Sequence, residues 1–342
     1  MATKPQATLR SIAAATGYAK STVSDALRQS PRIPEATRKA IQKAASEMGY
    51  KTDARISMLM AHLRQRHKAG EVNVAWLQYS VDTKPRSQMP WFCGIWEGAS
   101  QRAKELGFNL DEIILQEKNH TPDRVRRILL SRGIEGVILA PPWYKEAYGD
   151  FNWSGLATVV CGSEAQLAPN HFIGPNYREN VALLFENLLR LGYQRPGLWL
   201  SEHNDLETRH AVAGTYLLLE QYLPVRNRIP WQPKDIKHLS FQTWLKRHRP
   251  DVIICQHNEM LEMLKKSGCR VPHDIGVAHL NVCKDVAGWA GIDQNHKVIG
   301  QLALESISSQ LNHNERDLPK NPNETLVTGK WVDGWTLAPQ KK

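Results

Sequence analysis

Near the start of the chain, the residues best suited to chemistry are Lys20, Ser21, Thr22, Ser24 and Asp25, in the stretch TGYAKSTVSDAL (residues 16–27). At helical spacing Lys20, Ser21, Ser24 and Asp25 point outward, which presents one cation, two hydroxyls and one carboxylate on a single face. This chemistry is recognition by hydrogen bonding. Lys20 can donate to guanine O6 or N7, and Ser21 can donate or accept. Thr22 and Ser24 are short donors suited to phosphates or base edges. Asp25 has two readings: it accepts from a cytosine amino group, or it pairs with Arg28 about one turn on.

Three short helices must position this face. Leu9, Ile12, Ala13 and the Ala15–Thr16 pair follow a helical period, with Thr8 as N-cap and Gly17 as the left-handed C-terminal residue. A second helix starts near Lys20 and turns Val23, Ala26 and Leu27 inward. Ile33-Pro34-Glu35 opens a third, whose inner stripe is Ile41, Ala44, Ala45 and Met48 and which ends at Gly49. Two helices joined by a short Gly-containing turn form a helix-turn-helix unit, in which the second helix offers its N-terminal side chains to a DNA major groove.

Charge placement points the same way. The 342-residue chain carries 44 basic and 34 acidic residues, a net of +10. Residues 1–70 hold thirteen basic and four acidic side chains, a net of +9, so the remainder is nearly neutral. A basic module on a neutral body predicts a polyanion as the module's partner, with a merely solvated basic surface as the alternative. Arg28 and Arg32 belong to this excess and complete the candidate contact set around the second helix.

The stretch TLRSIAAATGYAKSTVSDALRQSPRIPEATRKAIQKAASEMGY resembles the DNA-binding headpiece of the LacI/GalR family of bacterial transcription regulators. Thr8, Leu9, Ile12, Ala13, Gly17, Thr22, Val23, Ser24, Leu27, Ile33, Pro34, Thr37, Arg38, Gly49 and Tyr50 fit the family pattern at fixed spacing. The resemblance implies DNA contacts from Thr8, Thr37, Arg38 and Tyr50 as well as from the second helix. Two positions depart from the pattern: Ala19 stands where the family has a capping serine, and Asp25 where it has an arginine. Loss of that cap costs about 1 kcal/mol, and both changes predict an operator unlike the family's usual one.

The resemblance also implies a hinge in DARISMLMAHLRQRH, residues 53–67. There a helix would order when two copies meet on DNA, with Leu59 entering the minor groove, Ile56 packing on its mate, and Arg55 and Arg64 on phosphates. Such a wedge costs a few kcal/mol of unstacking, offset by the contacts that the bend permits. The plainer alternative is an amphipathic linker helix packed on the body.

From Val72 onward, apolar strand-like runs alternate with helical patterns. Strands are expected at 72–78, 136–141, 157–162, 196–201, 251–256 and 275–281, and helices at 94–107, 123–133, 180–192 and 258–268. Continuous apolar runs suit parallel sheets covered on both faces, so βα repetition predicts doubly wound α/β architecture. RILLSRGIEGVILAPP and KKSGCRVPHDIGVAHLN resemble the family's body, which has the periplasmic-binding-protein fold. The expected organisation is an all-α helix-turn-helix headpiece at 1–52 and a hinge helix and linker at 53–70. An α/β body of two doubly wound lobes follows at 71–342, with lobe 1 near 71–174 plus 291–320 and lobe 2 near 175–290 plus 321–338.

A small-molecule effector would sit between the lobes, at the carboxyl ends of strands. Trp91, Phe92, Trp143 and Trp289 offer aromatic faces suited to sugar rings, and Asn176, Arg209, Asn258, Asn281 and Asp293 are the polar candidates. The family commonly has Asp at the positions of Pro175 and Asn281 and Arg near Ala211, so the effector is expected to differ from the usual sugars or the pocket to be blunted.

The leading expectation is therefore a homodimeric, sequence-specific DNA-binding transcription regulator on a pseudo-palindromic operator, controlled by a sugar-like effector. The rivals are an α/β enzyme with an accessory DNA-binding arm and a pure ligand-binding protein. No GxGxxG follows a strand, and GxxxxGK[ST], GxSxG and HExxH are absent, so no catalytic role is assigned. The five cysteines, Cys93, Cys161, Cys255, Cys269 and Cys283, form no CxxC pair or zinc-spaced cluster. They read as reduced, mostly buried thiols, and neither a metal nor a cofactor is expected. With no long apolar run and no secretory pattern at the start, the expected compartment is the cytoplasm and no membrane partner is assigned.

Overall fold

The computed structural model describes residues 7–27, 30, 33–50, 72–80, 90–116, 121–140, 151–162, 170–231 and 240–340. The hinge residues Arg55, Ile56 and Leu59 lie outside the described residues, as do Arg28, Arg32 and Trp143.

Helices α1 (Leu9–Thr16), α2 (Lys20–Leu27) and α3 (Glu35–Glu47) pack on one another around a core of Ile12, Val23, Ala26, Ile41 and Ala45. Thr8 caps α1 by accepting from Ser11 N–H at 3.2 Å, and Ser11 Oγ accepts from Thr8 N–H at 2.8 Å, a reciprocal capping box. Gly17 ends α1 at φ 74°, a conformation that costs a side-chain-bearing residue strain and glycine little. Pro34 occupies the N-cap of α3, one position before the first helical turn. Met48 is 37% exposed and does not join the inner stripe, because α3 ends at Glu47 and Met48 is already its C-cap.

The body has two sheets. The first runs β10-β5-β4-β3-β1-β2, built from β1 (Val72–Ser80), β2 (Phe108–Gln116), β3 (Ile134–Leu139), β4 (Ala157–Cys161), β5 (His171–Pro175) and β10 (Glu324–Val327). Every pairing in it is parallel. The second runs β11-β9-β8-β7-β6, from β6 (Pro196–Trp199), β7 (Val252–Cys255), β8 (Gly276–His279), β9 (Ala290–Asp293) and β11 (Lys330–Val332). It is parallel except for β11 on β9. Strands β4, β6, β7 and β8 are buried throughout, as expected for strands covered on both faces.

Helices α4 (Pro90–Leu106) and α5 (Pro122–Ser131) belong to the first lobe. The second holds α6 (Tyr177–Arg190), α7 (Glu202–Glu207), α8 (Ala211–Glu220), α9 (Phe241–His248) and α10 (Met260–Lys266). The chain passes between sheets after β5, after β9 and after β10. Helix α11 (His296–His313) returns to the first lobe and lies along α4, burying Ile299, Ala303, Leu304 and Ile307 in the first core. The helices meet backbone to backbone: a Cβ at Gly98 would overlap the Lys297 carbonyl, and one at Gly300 the Ile95 carbonyl.

Two lobe boundaries differ from those read in the sequence. β9 belongs to the second sheet, so the return to lobe 1 begins with α11 rather than at residue 291. β10 pairs with β5 in the first sheet, which splits the segment 321–338 between the lobes. It is a short, half-exposed edge strand opening on Glu324 and Thr325, which gives little apolar signal. The five cysteines are free thiols, with Cys161 and Cys255 buried and the other three half-buried.

Candidate DNA interface and interlobe site

The candidate DNA interface begins at the α1–α2 turn. Tyr18 is 40% exposed and Ala19, Lys20 and Ser21 are exposed, while Thr22, Ser24 and Asp25 are half-buried along α2. Ala19 O accepts the first intrahelical bond, from Val23 N–H at 3.0 Å, so Ala19 stands at the N-cap without a side chain that can cap. Gln42 Nε2 donates to Ala26 O at 3.3 Å and ties α3 to the far end of α2. Val23 and Ala26 anchor the inner face, leaving the outer face free for contact. Thr8 is committed to capping α1, Thr37 and Arg38 are half-buried on α3, and Tyr50 packs against the headpiece core.

The second site is a cavity of about 280 Å³ between the lobes. Pro90 and Trp91, at the start of α4, line its first-lobe side. Gln256, His257, Asn258 and Glu259 follow β7 on the second-lobe side, and His279, Asn281, Cys283 and Asp285 end or follow β8. The cavity therefore sits at strand carboxyl ends, where a doubly wound sheet leaves a crevice. Lys284 of the second lobe reaches Glu97 of α4 at 3.9 Å, and Lys297 of α11 reaches the same carboxylate at 2.9 Å. These cations hold the Glu97 carboxyl below its ordinary range, the Lys297 hydrogen bond most of all.

Polar atoms without partners mark this site. His279 is 2% exposed, its Nδ1 sits 2.8 Å from Asn281 O and 3.1 Å from Asn281 N, and the Gln256 backbone also supports the ring. Asn281 Oδ1 and His257 Nε2 are buried without partners. A buried polar group left unpaired costs about 1–3 kcal/mol, so such a cluster in one cavity points to a ligand that completes it. Burial lowers the His279 pKa to about 4 and also lowers that of His257, so both imidazoles are neutral near pH 7. Asn258 Nδ2 and the Cys283 thiol donate to Asp285. Burial and Asp285 push the thiol pKa up, so it remains protonated.

Of the sequence-predicted effector residues, Trp91, Asn258 and Asn281 meet at this cavity. The other described candidates do not line it. Phe92 is fully buried in the first core, edge-on to Trp76 at 5.8 Å. Trp289 packs edge-on to His279 at 5.6 Å, behind the lining. Asn176 caps α6 by accepting from Glu179 N–H at 3.2 Å. Arg209 pairs with Glu324 at 3.4 Å, and Asp293 accepts from Asn295 N–H at 2.8 Å. Sequence reading missed Gln256, His257, Glu259, His279, Cys283 and Asp285. Their signal was available in the polar residues that directly follow the apolar runs of β7 and β8.

Among the described residues no group of three or more His, Cys, Asp or Glu side chains is arranged to hold a metal, and no helix is long and apolar enough to cross a membrane.

Residues 8–53 match the family model of bacterial regulatory proteins of the lacI family. Residues 84–322 match that of periplasmic binding proteins and the sugar binding domain of the LacI family. A curated relative, the HTH-type transcriptional regulator reg1 of Streptomyces lividans, is 21% identical over 67% of this chain. The match spans 64% of that relative's own length. Among solved structures, a complex of the transcriptional regulator CelR with cellobiose aligns over 97% of this chain and all of its own, with TM-score 0.58 and 17% identity. A Lac repressor dimer bound to operator and the anti-inducer ONPF aligns over 98% of this chain and all of its own, with TM-score 0.57 and 17% identity. With a helix-turn-helix headpiece, a two-lobed α/β body and family models matched over both, the chain belongs to the LacI family of bacterial regulatory proteins.

Proposed function

We propose that this protein is a cytoplasmic, sequence-specific DNA-binding transcription regulator that acts as a homodimer on a pseudo-palindromic operator. The carrying observation is the exposed N-terminal end of α2, with Lys20 and Ser21 outward on a basic module that has its own core. Lys20, Ser21 and Asp25 read base edges, while Thr22, Ser24 and the flanking basic residues set register on phosphates. Two copies place two such helices about one duplex turn apart, with Leu59 wedged at the operator centre.

The effector is a sugar-class molecule bound between the lobes. It controls operator affinity only to the extent that it binds the DNA-competent and incompetent states differently. Support comes from the orphaned polar atoms of His257 and Asn281 at the cavity and from the sugar-binding family model. The relatives are named as transcriptional regulators, which supports a non-enzymatic role.

The test is footprinting of the full-length protein on fragments of its own genome. The expected result is a protected pseudo-palindrome whose protection Lys20→Ala weakens and Leu59→Ala abolishes. Absence of any protected site would refute the reading.

A further inference from the structure

We infer that the ligand of the interlobe cavity carries an ammonium group beside its hydroxyls, as an amino sugar does, and is not a sugar phosphate or sugar acid. This rests on the reading of the cavity as a sugar-class effector site. Among the described lining residues the only formal charges are the carboxylates of Glu259 and Asp285. The two lining histidines are neutral near pH 7, and the nearby cations Lys284 and Lys297 both engage Glu97. In a chain with a net charge of +10, the described lining of this cavity is locally negative. An anionic ligand would bring like charge into a partly desolvated space, whereas an ammonium would supply the missing counter-charge.

The two sides of the cavity differ in polarity. The N-terminal end of α4, at Pro90 and Trp91, carries partial positive charge and favours ligand oxygens. The opposite side offers carboxylates and the unpartnered Asn281 Oδ1, an acceptor that needs a donor from the ligand. Asn281 is only 8% exposed, so its unpartnered Oδ1 is a buried recognition group independent of the carboxylates. Asp285 is already engaged by Asn258 and Cys283, which leaves Glu259 as the freer anion. The half-buried Trp91 indole adds an aromatic face that suits both a sugar ring and a nearby cation. A ligand with oxygens toward α4 and an ammonium toward Glu259 satisfies both sides together.

The test is calorimetric titration of the full-length protein with matched pairs: glucosamine and glucose, galactosamine and galactose, mannosamine and mannose, with glucose 6-phosphate as the anionic probe. At least one amino sugar should bind about tenfold or more tighter than its hydroxyl counterpart, with glucose 6-phosphate weakest. Glu259→Gln should remove most of that preference while leaving the thermal midpoint of the unliganded protein unchanged. Equal or tighter binding of the hydroxyl or phosphorylated member overturns the ammonium inference but leaves a sugar-class cavity standing. An amine preference that survives Glu259→Gln in full overturns the assigned counter-charge. Failure of every probe to bind overturns the sugar-class reading itself.

Discussion

At the scale of single residues, the headpiece depends on small polar devices. Ala19 holds the N-cap position of α2 through its carbonyl alone. Ala19→Ser should stabilise the headpiece by about 1 kcal/mol, read as a higher urea midpoint of the full-length protein's headpiece transition. In the body, His279 and His296 are buried and their pKa values are lowered to about 4. Burial causes both shifts; at His279 the Asn281 backbone, Asp285 and the Gln256 backbone oppose it and His257 adds to it, while Asp293 opposes it at His296. Unfolding releases each ring to an ordinary pKa near 6.5, so between about pH 4 and pH 6.5 the unfolded chain binds more protons. Stability therefore falls as pH drops through that window, by up to about 3 kcal/mol for each histidine. Comparing urea midpoints at pH 7 and pH 4.5 checks the sign, and His279→Gln should flatten the slope. The elements of the headpiece were legible because each has a local signature: Thr8 for a cap, Gly17 for a turn, and Ile12, Val23 and Ile41 for a core. The cavity as a set was not, because its residues assemble from the ends of two strands and the start of a distant helix, although the polar residues after β7 and β8 carried part of the signal. Only Trp91, Asn258 and Asn281 could be guessed, and Phe92 shows the cost of guessing from type alone: an aromatic beside the cleft is as readily core.

At the scale of elements, the packing of α4 against α11 is the most exacting contact in the body. Gly98 and Gly300 let the two backbones touch, so Gly300→Ala forces the helices apart. Overpacking of this kind costs about 1–3 kcal/mol or more, and urea denaturation of the variant should show a lower midpoint with little change in slope. Because α11 carries Lys297 and α4 carries Glu97, the same variant should also disturb the bridge to Lys284 and weaken ligand binding. Strands with continuous apolar runs, such as β4, β7 and β8, were legible from composition. The edge strand β6 was legible too, but β2 and β10 were not: β2 interrupts its apolar residues with Asp111 and Glu112 and exposes Ile114, and β10 opens on Glu324. The weak apolar signal of β10 is why the boundary between lobes was misplaced at 321–338.

At the scale of the whole molecule, the charge excess lies on the headpiece and the body is nearly neutral, which fits the proposed division of DNA recognition from ligand control. The excess charge of residues 1–70 predicts that operator affinity falls steeply with salt, since each neutralised phosphate releases a counterion. A log–log plot of affinity against salt concentration should be linear, and because Lys20 is assigned to base edges, Lys20→Ala should leave its slope nearly unchanged while altering base preference. The most direct test of the central claim is the affinity of the full-length protein for its footprinted operator against random duplex of equal length, measured at one fixed salt concentration. A preference of roughly 10³-fold or more, reduced by Lys20→Ala and Asp25→Asn, is the predicted result. Equal affinity for operator and random duplex would contradict it.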